Sequence, residues 1–187
     1  FYLEAKTEME KTSDYQLGYL IMSGLSNIYL YRDFTTYALE ACTQAYDYAV
    51  KDSNKRYQMS SLLFFARCYC LLDKLDIAEQ KYKQCSAIAL ELGKKNFYDI
   101  AMQDLAALYK NSHRYTESLL ILKSLPFNPQ VSLLFGQNYL LLNQLDSANY
   151  YLKKSLYTDN IYTKRAAYIG LYKLAEYPMY QKNMKTY

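Results

Sequence analysis

Apolar residues recur three and four positions apart along this chain, in blocks that are separated by short polar breaks such as Arg32-Asp33 and Asp73-Lys74. That spacing places them on one face of an α-helix. Ser13 is the predicted N-cap of the first block, with Gln16 completing a capping box, and Gly93 is a predicted C-cap. The pattern predicts helices over residues 13–31, 37–49, 57–72, 76–92, 97–111, 115–125, 129–142, 146–156 and 162–176, and a further helix from Pro178.

A four-part pattern recurs across consecutive helix pairs. A bulky apolar residue precedes a small one, a tyrosine follows three residues later, and a second small residue stands twelve positions after the first. One pair alone cannot bury its apolar face, so the repetition predicts stacked helix pairs. The four instances are Leu25-Ser26, Tyr29, Ala38; Phe65-Ala66, Tyr69, Ala78; Leu105-Ala106, Tyr109, Ser118; and Phe135-Gly136, Tyr139, Ala148.

Spacing between the repeats defines the domain organisation. The second small residues are forty, forty and thirty positions apart, and the short step coincides with Pro126 and Pro129. Ile169-Gly170 begins a partial fifth instance. We therefore expect a single repeat array over residues 1–187, with repeats at about 13–52, 55–93, 96–126 and 129–157 and an incomplete one at 160–187.

These residues resemble the tetratricopeptide repeat (TPR) family. The chain departs from the family by lacking a tryptophan at the start of each first helix, by its stretched period, and by Ser118 in place of alanine. The resemblance implies an all-α fold, a right-handed α-α superhelix of about four and a half helix pairs. It also implies that the first helix of each pair lines a concave groove.

A groove of that kind is expected to bind a protein or an extended peptide. Helical phase, counted from the core positions, predicts the side chains that face it. Ser23 stands where some TPR proteins carry the leading lysine of a carboxylate clamp, so that activity is not assigned. The predicted groove residues are Asn27, Tyr31, Leu63, Arg67, Gln103, Lys110, Asn111, Leu133 and Gln137, flanked by Ser23, Cys70 and Leu140.

Composition supports a folded helical protein and offers little catalytic chemistry. Of 187 residues, 51% are hydrophobic and only five are Gly and three Pro. The single histidine, His113, falls in a predicted turn, and neither a Gly-rich phosphate loop nor metal-ligand spacing occurs. We expect no enzyme activity, no cofactor, no metal and no small-molecule substrate.

The four cysteines, Cys42, Cys68, Cys70 and Cys85, follow no zinc-binding spacing. Two of them occupy apolar positions of the repeat, where cysteine acts as a small hydrophobe. Buried free thiols are expected, with a Cys42–Cys68 or Cys42–Cys85 disulfide as the alternative.

The leading functional hypothesis is a protein- or peptide-binding scaffold or sensor. The stretched repeats and the 145–154 helix resemble TPR regions of bacterial membrane-anchored regulators. This resemblance implies a larger regulatory protein, an extracytoplasmic or cytoplasmic location, and membrane contact only through segments outside this chain. The chain begins at Phe1, which suggests a processed or truncated product.

Two alternatives remain. The 24 tyrosines exceed what the repeat requires, so tyrosine-rich faces could form a self-associating structural assembly. From Tyr150 onward seven Lys or Arg residues stand against two acidic ones, which raises nucleic-acid binding as the second alternative. Spaced lysines on helices are more typical of a solvated face.

Overall fold

The computed structural model describes residue 4, residues 7–8 and residues 14–177. Within these residues the protein is all-α, with nine helices and no strand, so the predicted fold of about four and a half helix pairs is confirmed. The predicted Ser13 cap and the helix expected from Pro178 lie outside the described residues. The helices are α1 (Tyr15–Tyr31), α2 (Thr35–Lys51), α3 (Lys55–Leu71), α4 (Leu75–Glu91), α5 (Lys95–Asn111), α6 (Tyr115–Ser124), α7 (Pro129–Leu141), α8 (Leu145–Lys154) and α9 (Ile161–Ala175).

The first five helices share one length. Each has 17 residues, and three residues connect it to the next. A pair therefore advances the chain by forty residues, which explains the two long repeat steps. Helices α6 and α7 have only 10 and 13 residues, and this shortening produces the thirty-residue step.

Every connection from α1 to α6 uses the same turn. Its middle residue has a left-handed backbone conformation, with φ between 52° and 62°. The residue after it donates its N–H to the carbonyl five residues back, at 2.7–2.9 Å. These are Schellman turns, in which the left-handed residue lets orphan carbonyls find donors. Only Gly93 among the five adopts this φ without steric cost. The left-handed residues are Asp33, Ser53, Asp73, Gly93 and His113.

First and second helices differ in how their N-termini are capped. The first helices α1, α3, α7 and α9 begin with a side-chain cap, provided by Asp14, Asn54, Asn128 and Asn160. The second helices α2, α4, α6 and α8 begin directly after a tight turn without such a cap. The observed cap of α1 is Asp14, which accepts from the Leu17 N–H at 2.9 Å. Gln16 donates instead to the Tyr57 hydroxyl at 3.3 Å.

The chain divides into two compact units, Phe1–Met102 and Gln103–Tyr187, with the boundary inside α5. In the first unit α1 packs on α2, α2 on α3, and α3 on α4. In the core of this unit, Tyr19, Ile21 and Met22 of α1 pack against two small residues of α2, Ala41 and Ala45. Small residues on one helix allow the bulky side chains of the other to approach closely.

In the second unit α6 contacts α7, α7 packs on α8, and α9 contacts both α7 and α8. Leu152 of α8 is fully buried between Gly136 of α7 and Gly170 of α9. None of the helices within residues 14–177 combines the length and apolar character needed to cross a membrane.

Candidate binding grooves on the first helices

The small residues of the repeat are the points where the two helices of a pair meet. Ser26 of α1 donates its hydroxyl to the Ala38 carbonyl of α2 at 3.0 Å. At the equivalent place Ser118 of α6 donates to the Ala106 carbonyl of α5 at 2.8 Å. All four residues are fully buried. In both pairs a serine hydroxyl thus joins the two helices, but the donor is on the first helix in one pair and on the second helix in the other. Each bond fixes how the first helix is held against its partner.

The repeated tyrosines also pack, as predicted. Tyr109 is buried, and Tyr29, Tyr69 and Tyr139 are half-buried. Tyr139 stacks on Tyr151 of the following helix with ring centroids 5.5 Å apart. These rings therefore occupy the space between helices and leave other side chains of the first helices to form surface grooves.

A groove of about 680 Å³ lies in the second unit. Its walls come from the C-terminal part of α5, from α7 and from α9, which are all first helices of their pairs. One part of the lining is apolar and the rest carries charge or hydrogen-bonding groups. The lining residues are Lys110, Gln137, Leu140, Leu141, Ala166, Ile169, Gly170, Lys173, Glu176 and Tyr177.

Lys110 is the most constrained polar group of this groove. Its side chain is half-buried, and Nζ donates to Gln137 Oε1 at 2.8 Å. Burial lowers the pKa of Lys110, and the positive charge of Lys173 lowers that pKa further. An ammonium group has three N–H donors, and the bond to Gln137 uses one of them. A hydrogen-bond acceptor entering the groove would therefore find a donor already held in position.

The first unit has a smaller groove, of about 480 Å³, formed by α1, α3 and Phe97 of α5. Its floor contains the Tyr19 ring, which stacks on Tyr57 with centroids 3.9 Å apart and planes 11° from parallel. Burial raises the pKa of Tyr19, while hydrogen bonds with the Ser60 and Ser23 hydroxyls act in the opposite direction. Neutral hydroxyls therefore line the floor of this groove.

The structure brings only some of the predicted groove residues together. Lys110 and Gln137 share the groove of the second unit with Leu140, and Asn27 lines that of the first unit with Ser23. The other predicted residues lie outside these two grooves. Tyr31 is 81% exposed, Asn111 is exposed, and Arg67, Gln103 and Leu133 are half-buried.

Leu63 is a correction to the predicted set. It is only 6% exposed and therefore belongs to the core of the first unit. Its neighbour Phe64 lines the groove together with Ser60 and Arg56, which precede it by one and two helical turns. Adjacent helix positions point about 100° apart, so an error of one position in phase replaces an exposed side chain by a buried one.

Helical phase had predicted no groove residue on α9, although α9 forms one wall of the groove in the second unit. Ile169 and Lys173 lie one turn apart and face the groove of the second unit. Their spacing was visible in the sequence, but α9 belongs to the incomplete fifth repeat, for which no groove residues were predicted. The repeat pattern extended to Ile169-Gly170 was the signal that could have located them.

The cysteines are packing residues. All four are free thiols, with Cys42, Cys68 and Cys85 buried and Cys70 half-buried. Cys42 Sγ donates to the Ser61 carbonyl at 3.3 Å. Burial raises the pKa of Cys42, and it raises that of Cys68 to about 11. A thiol that resists ionisation is a poor nucleophile near neutral pH.

His113 occupies the left-handed position of the turn between α5 and α6, as predicted for a turn residue. Its Nδ1 lies 2.8 Å from the Tyr115 hydroxyl. Within residues 4, 7–8 and 14–177, the His, Cys, Asp and Glu side chains form no group of three that could hold a metal ion.

Comparisons with family models and curated proteins identify no relative of this chain. No protein-family model matches the sequence, and a search of curated proteins finds no match. The grooves and the repeated helix pairs are thus the basis for a functional proposal.

Proposed function

We propose that this chain is a non-catalytic scaffold of the TPR type, which binds a protein or an extended peptide in grooves on its first helices. The observation that carries the proposal is the pairing of Lys110 with Gln137 beside the apolar wall formed by Leu140 and Ile169. The proposal is supported by helical phase, which predicted Lys110 and Gln137 as groove residues from the sequence alone.

This chemistry suits a peptide because a peptide offers both of the groups that the groove can satisfy. Its backbone carbonyls accept hydrogen bonds from amines and amides, and its side chains alternate along an extended chain. Lys110 and the Gln137 amide supply donors, while Leu140 and Ile169 can cover an apolar side chain. Recognition would combine one buried apolar contact with hydrogen bonds at its edge.

A binding role also fits the described lining residues of the two grooves, which include neither histidine nor cysteine. The only histidine of the sequence lies in a turn and the buried thiols have raised pKa values, so neither supplies a base or nucleophile to the groove. We place this scaffold in a larger bacterial protein with a regulatory role, where partner binding would be sensed. That wider assignment rests on the resemblance of its repeats alone.

Selection of peptides by the full chain, from a random peptide-display library, tests the proposal. Affinities of enriched peptides would then be measured for the wild type and for Leu140→Glu, which puts a charge on the apolar wall. We expect an affinity loss of about tenfold or more, since buried apolar contacts dominate such interfaces. Leu120→Glu, at a 71% exposed position of α6, is the matched control and should leave the affinity unchanged.

Two results would oppose the proposal. One is the failure of repeated selections to enrich any sequence. The other is equal affinity of enriched peptides for the wild type and Leu140→Glu, which would place binding elsewhere on the chain.

A further inference from the structure

Helix α9 has two apolar stripes, whereas a helix at the surface of a soluble domain normally has one. The first stripe is buried and consists of Thr163, Ala167, Gly170 and Leu174. These residues are spaced by four, three and four positions, as expected for one face of a helix. This stripe faces the rest of the second unit, where α9 contacts α7 and α8.

The second stripe is exposed. Ile161, Tyr168 and Tyr172 are 72%, 60% and 68% exposed, and they follow one another by seven and four positions. At about 100° per residue, Ile161 lies some 160° around the helix from Thr163. The outer stripe is thus nearly opposite the buried one. Together with Lys164, Arg165, Ile169, Lys173 and Glu176, it lines a depression of about 920 Å³.

The charges beside this stripe are mostly positive. Lys164, Arg165 and Lys173 line the depression with a single carboxylate, that of Glu176. Lys164 and Lys173 lie on opposite sides of the apolar strip, and Arg165 lies one turn after Ile161, close to its axis. Such a strip is complementary to an amphipathic helix that carries acidic residues along its apolar face. The strip from Ile161 to Tyr172 runs for about three helical turns, or roughly 17 Å, which is the length of one ordinary partner helix.

The same charges argue against two other occupants. A second copy of α9 would bring its own Lys164 and Arg165 onto these cations, and like charges in contact oppose association. Residues 178–187 carry Lys182 and Lys185 but no acidic residue, so these ten residues offer the cations of α9 no side-chain carboxylate.

We infer that the outer face of α9 is a docking surface for an acidic amphipathic helix of a partner protein. The cations are spread along one helix, and a phosphate-binding surface normally gathers a denser set. The tyrosines supply contact area, with a polar tip that keeps the free surface soluble. This surface shares Ile169, Lys173 and Glu176 with the Lys110–Gln137 groove, but Tyr168 and Tyr172 line only the outer face. Variants of these two tyrosines therefore test this inference apart from the proposed function.

Two synthetic helical peptides of about eighteen residues test the inference, because that length covers the stripe. Both carry leucines at four- and three-residue spacing; one has glutamates at the other positions and one has lysines. Anisotropy titrations with the full chain should give binding of the glutamate peptide about tenfold or more tighter than that of the lysine peptide. The preference should shrink as salt rises.

Variants assign the binding to α9. Tyr168→Glu/Tyr172→Glu changes exposed side chains only, and it should weaken binding of the glutamate peptide by about tenfold or more. Leu120→Glu, exposed to a similar extent on α6, should change the affinity little.

Equal affinity for the two peptides would overturn the inference, and so would an unchanged affinity of the double variant. Failure of the glutamate peptide to bind at about 1 mM would do the same. Binding of phosphatidylserine vesicles or a single-stranded oligonucleotide, without binding of the glutamate peptide, would reassign the stripe to an anionic surface of another kind.

Discussion

Leu152 packs so closely against Gly136 that no Cβ fits between them. A Cβ built on Gly136 would lie 2.7 Å from Leu152 Cγ and 2.9 Å from its backbone nitrogen. On the other side, a Cβ on Gly170 would lie 2.8 Å from Leu152 Cδ2. One side chain of α8 therefore sets the approach of α7 and α9, the helices that carry Gln137, Leu140 and Ile169 of the groove.

Gly136→Ala should lower the free energy of unfolding by about 1–3 kcal/mol, because the new methyl group meets backbone as well as side chain. Gly170→Ala should cost less, since its Cβ meets only the movable side-chain atoms of Leu152. Urea denaturation followed by helical circular dichroism measures both. Gly93→Ala is a useful reference because its Cβ would meet nothing within 4 Å, although its φ of +62° carries a cost of about 1 kcal/mol. If Gly136→Ala proved no more destabilising than Gly93→Ala, the close packing around Leu152 would be disproved.

Ser118→Ala should destabilise the protein more than Ser26→Ala. The Ser26 hydroxyl donates to the Ala38 carbonyl and has the Cys42 thiol, a weak hydrogen-bonding group, as its other partner, whereas Ser118 donates to Ala106 and also accepts from Asn138 Nδ2 at 2.9 Å. Loss of Ser26 should cost about 1 kcal/mol and loss of Ser118 about 1–3 kcal/mol, because Ser118→Ala removes a second strong buried hydrogen bond, the one from Asn138. Equal costs for both variants in urea denaturation would contradict this account.

An exposed serine provides the control for these two variants. Ser124 bonds only to the Ile121 carbonyl within its own helix, and it is solvent-exposed. Ser124→Ala should change the free energy of unfolding by no more than about 0.5 kcal/mol.

The buried thiols should make the protein less stable at alkaline pH. Burial raises the pKa of Cys68 to about 11 and raises that of Cys42 as well. Between an ordinary cysteine pKa of about 8.5 and these folded values, the unfolded chain releases thiol protons that the folded chain keeps. Stability from these groups is thus fully present below about pH 8 and falls as pH rises through about 9 to 11, by about 1.4 kcal/mol per pH unit and thiol.

Urea denaturation at several pH values measures this slope. Cys68→Ala should reduce the loss of stability between about pH 9 and 11, because one of the shifted thiols is then gone. Ser124→Ala, which removes no thiol, is the comparison variant and should leave this loss unchanged. The same slope in all three proteins would refute the assignment.

Lys173→Met should raise the pKa of Lys110. Burial is the larger cause of the lowered Lys110 pKa and persists in the variant, so the pKa should stay below that of a free lysine. Carbon NMR of the lysine ε-carbon reports this titration directly. Lys164→Met removes a cation of the same helix and serves as the control, which should leave the Lys110 pKa in place.

The lowered pKa of Lys110 should make the free energy of unfolding rise with pH, whereas the raised pKa values of the thiols make it fall. Folded Lys110 loses its proton at a lower pH than the unfolded chain, so its contribution to the free energy of unfolding rises as pH increases through the folded pKa. Lys110→Met should remove this rise.

Helix positions could be predicted closely because the apolar period is a local property of the sequence. The predicted 115–125 helix is observed as Tyr115–Ser124, and the predicted 129–142 helix as Pro129–Leu141. The cap of α1 was assigned to Ser13 and is Asp14, since two adjacent residues both have capping side chains and geometry decides between them. The repeated left-handed turns were foreseen only at Gly93, because Asp, Ser and His carry a weaker signal for that φ.

The grooves were less predictable because they depend on how helices from different repeats meet. Lys110 and Gln137 are 27 positions apart, and helical phase alone placed them on one surface. The same counting predicted Leu63 as a groove residue although it is buried, because an error of one position in phase exchanges it for its neighbour Phe64. The exposed Tyr168 and Tyr172 were counted among the surplus tyrosines, and only the structure separates them from Tyr151, a surplus tyrosine whose ring stacks on Tyr139.

NMR chemical-shift mapping of the full chain with a display-selected peptide tests the central claim most directly. The account predicts the largest shifts at the Lys110 ammonium, the Gln137 amide and the methyl groups of Leu140 and Ile169. Shifts confined to residues far from that groove, such as Leu120 on α6 or Tyr157 after α8, would contradict it.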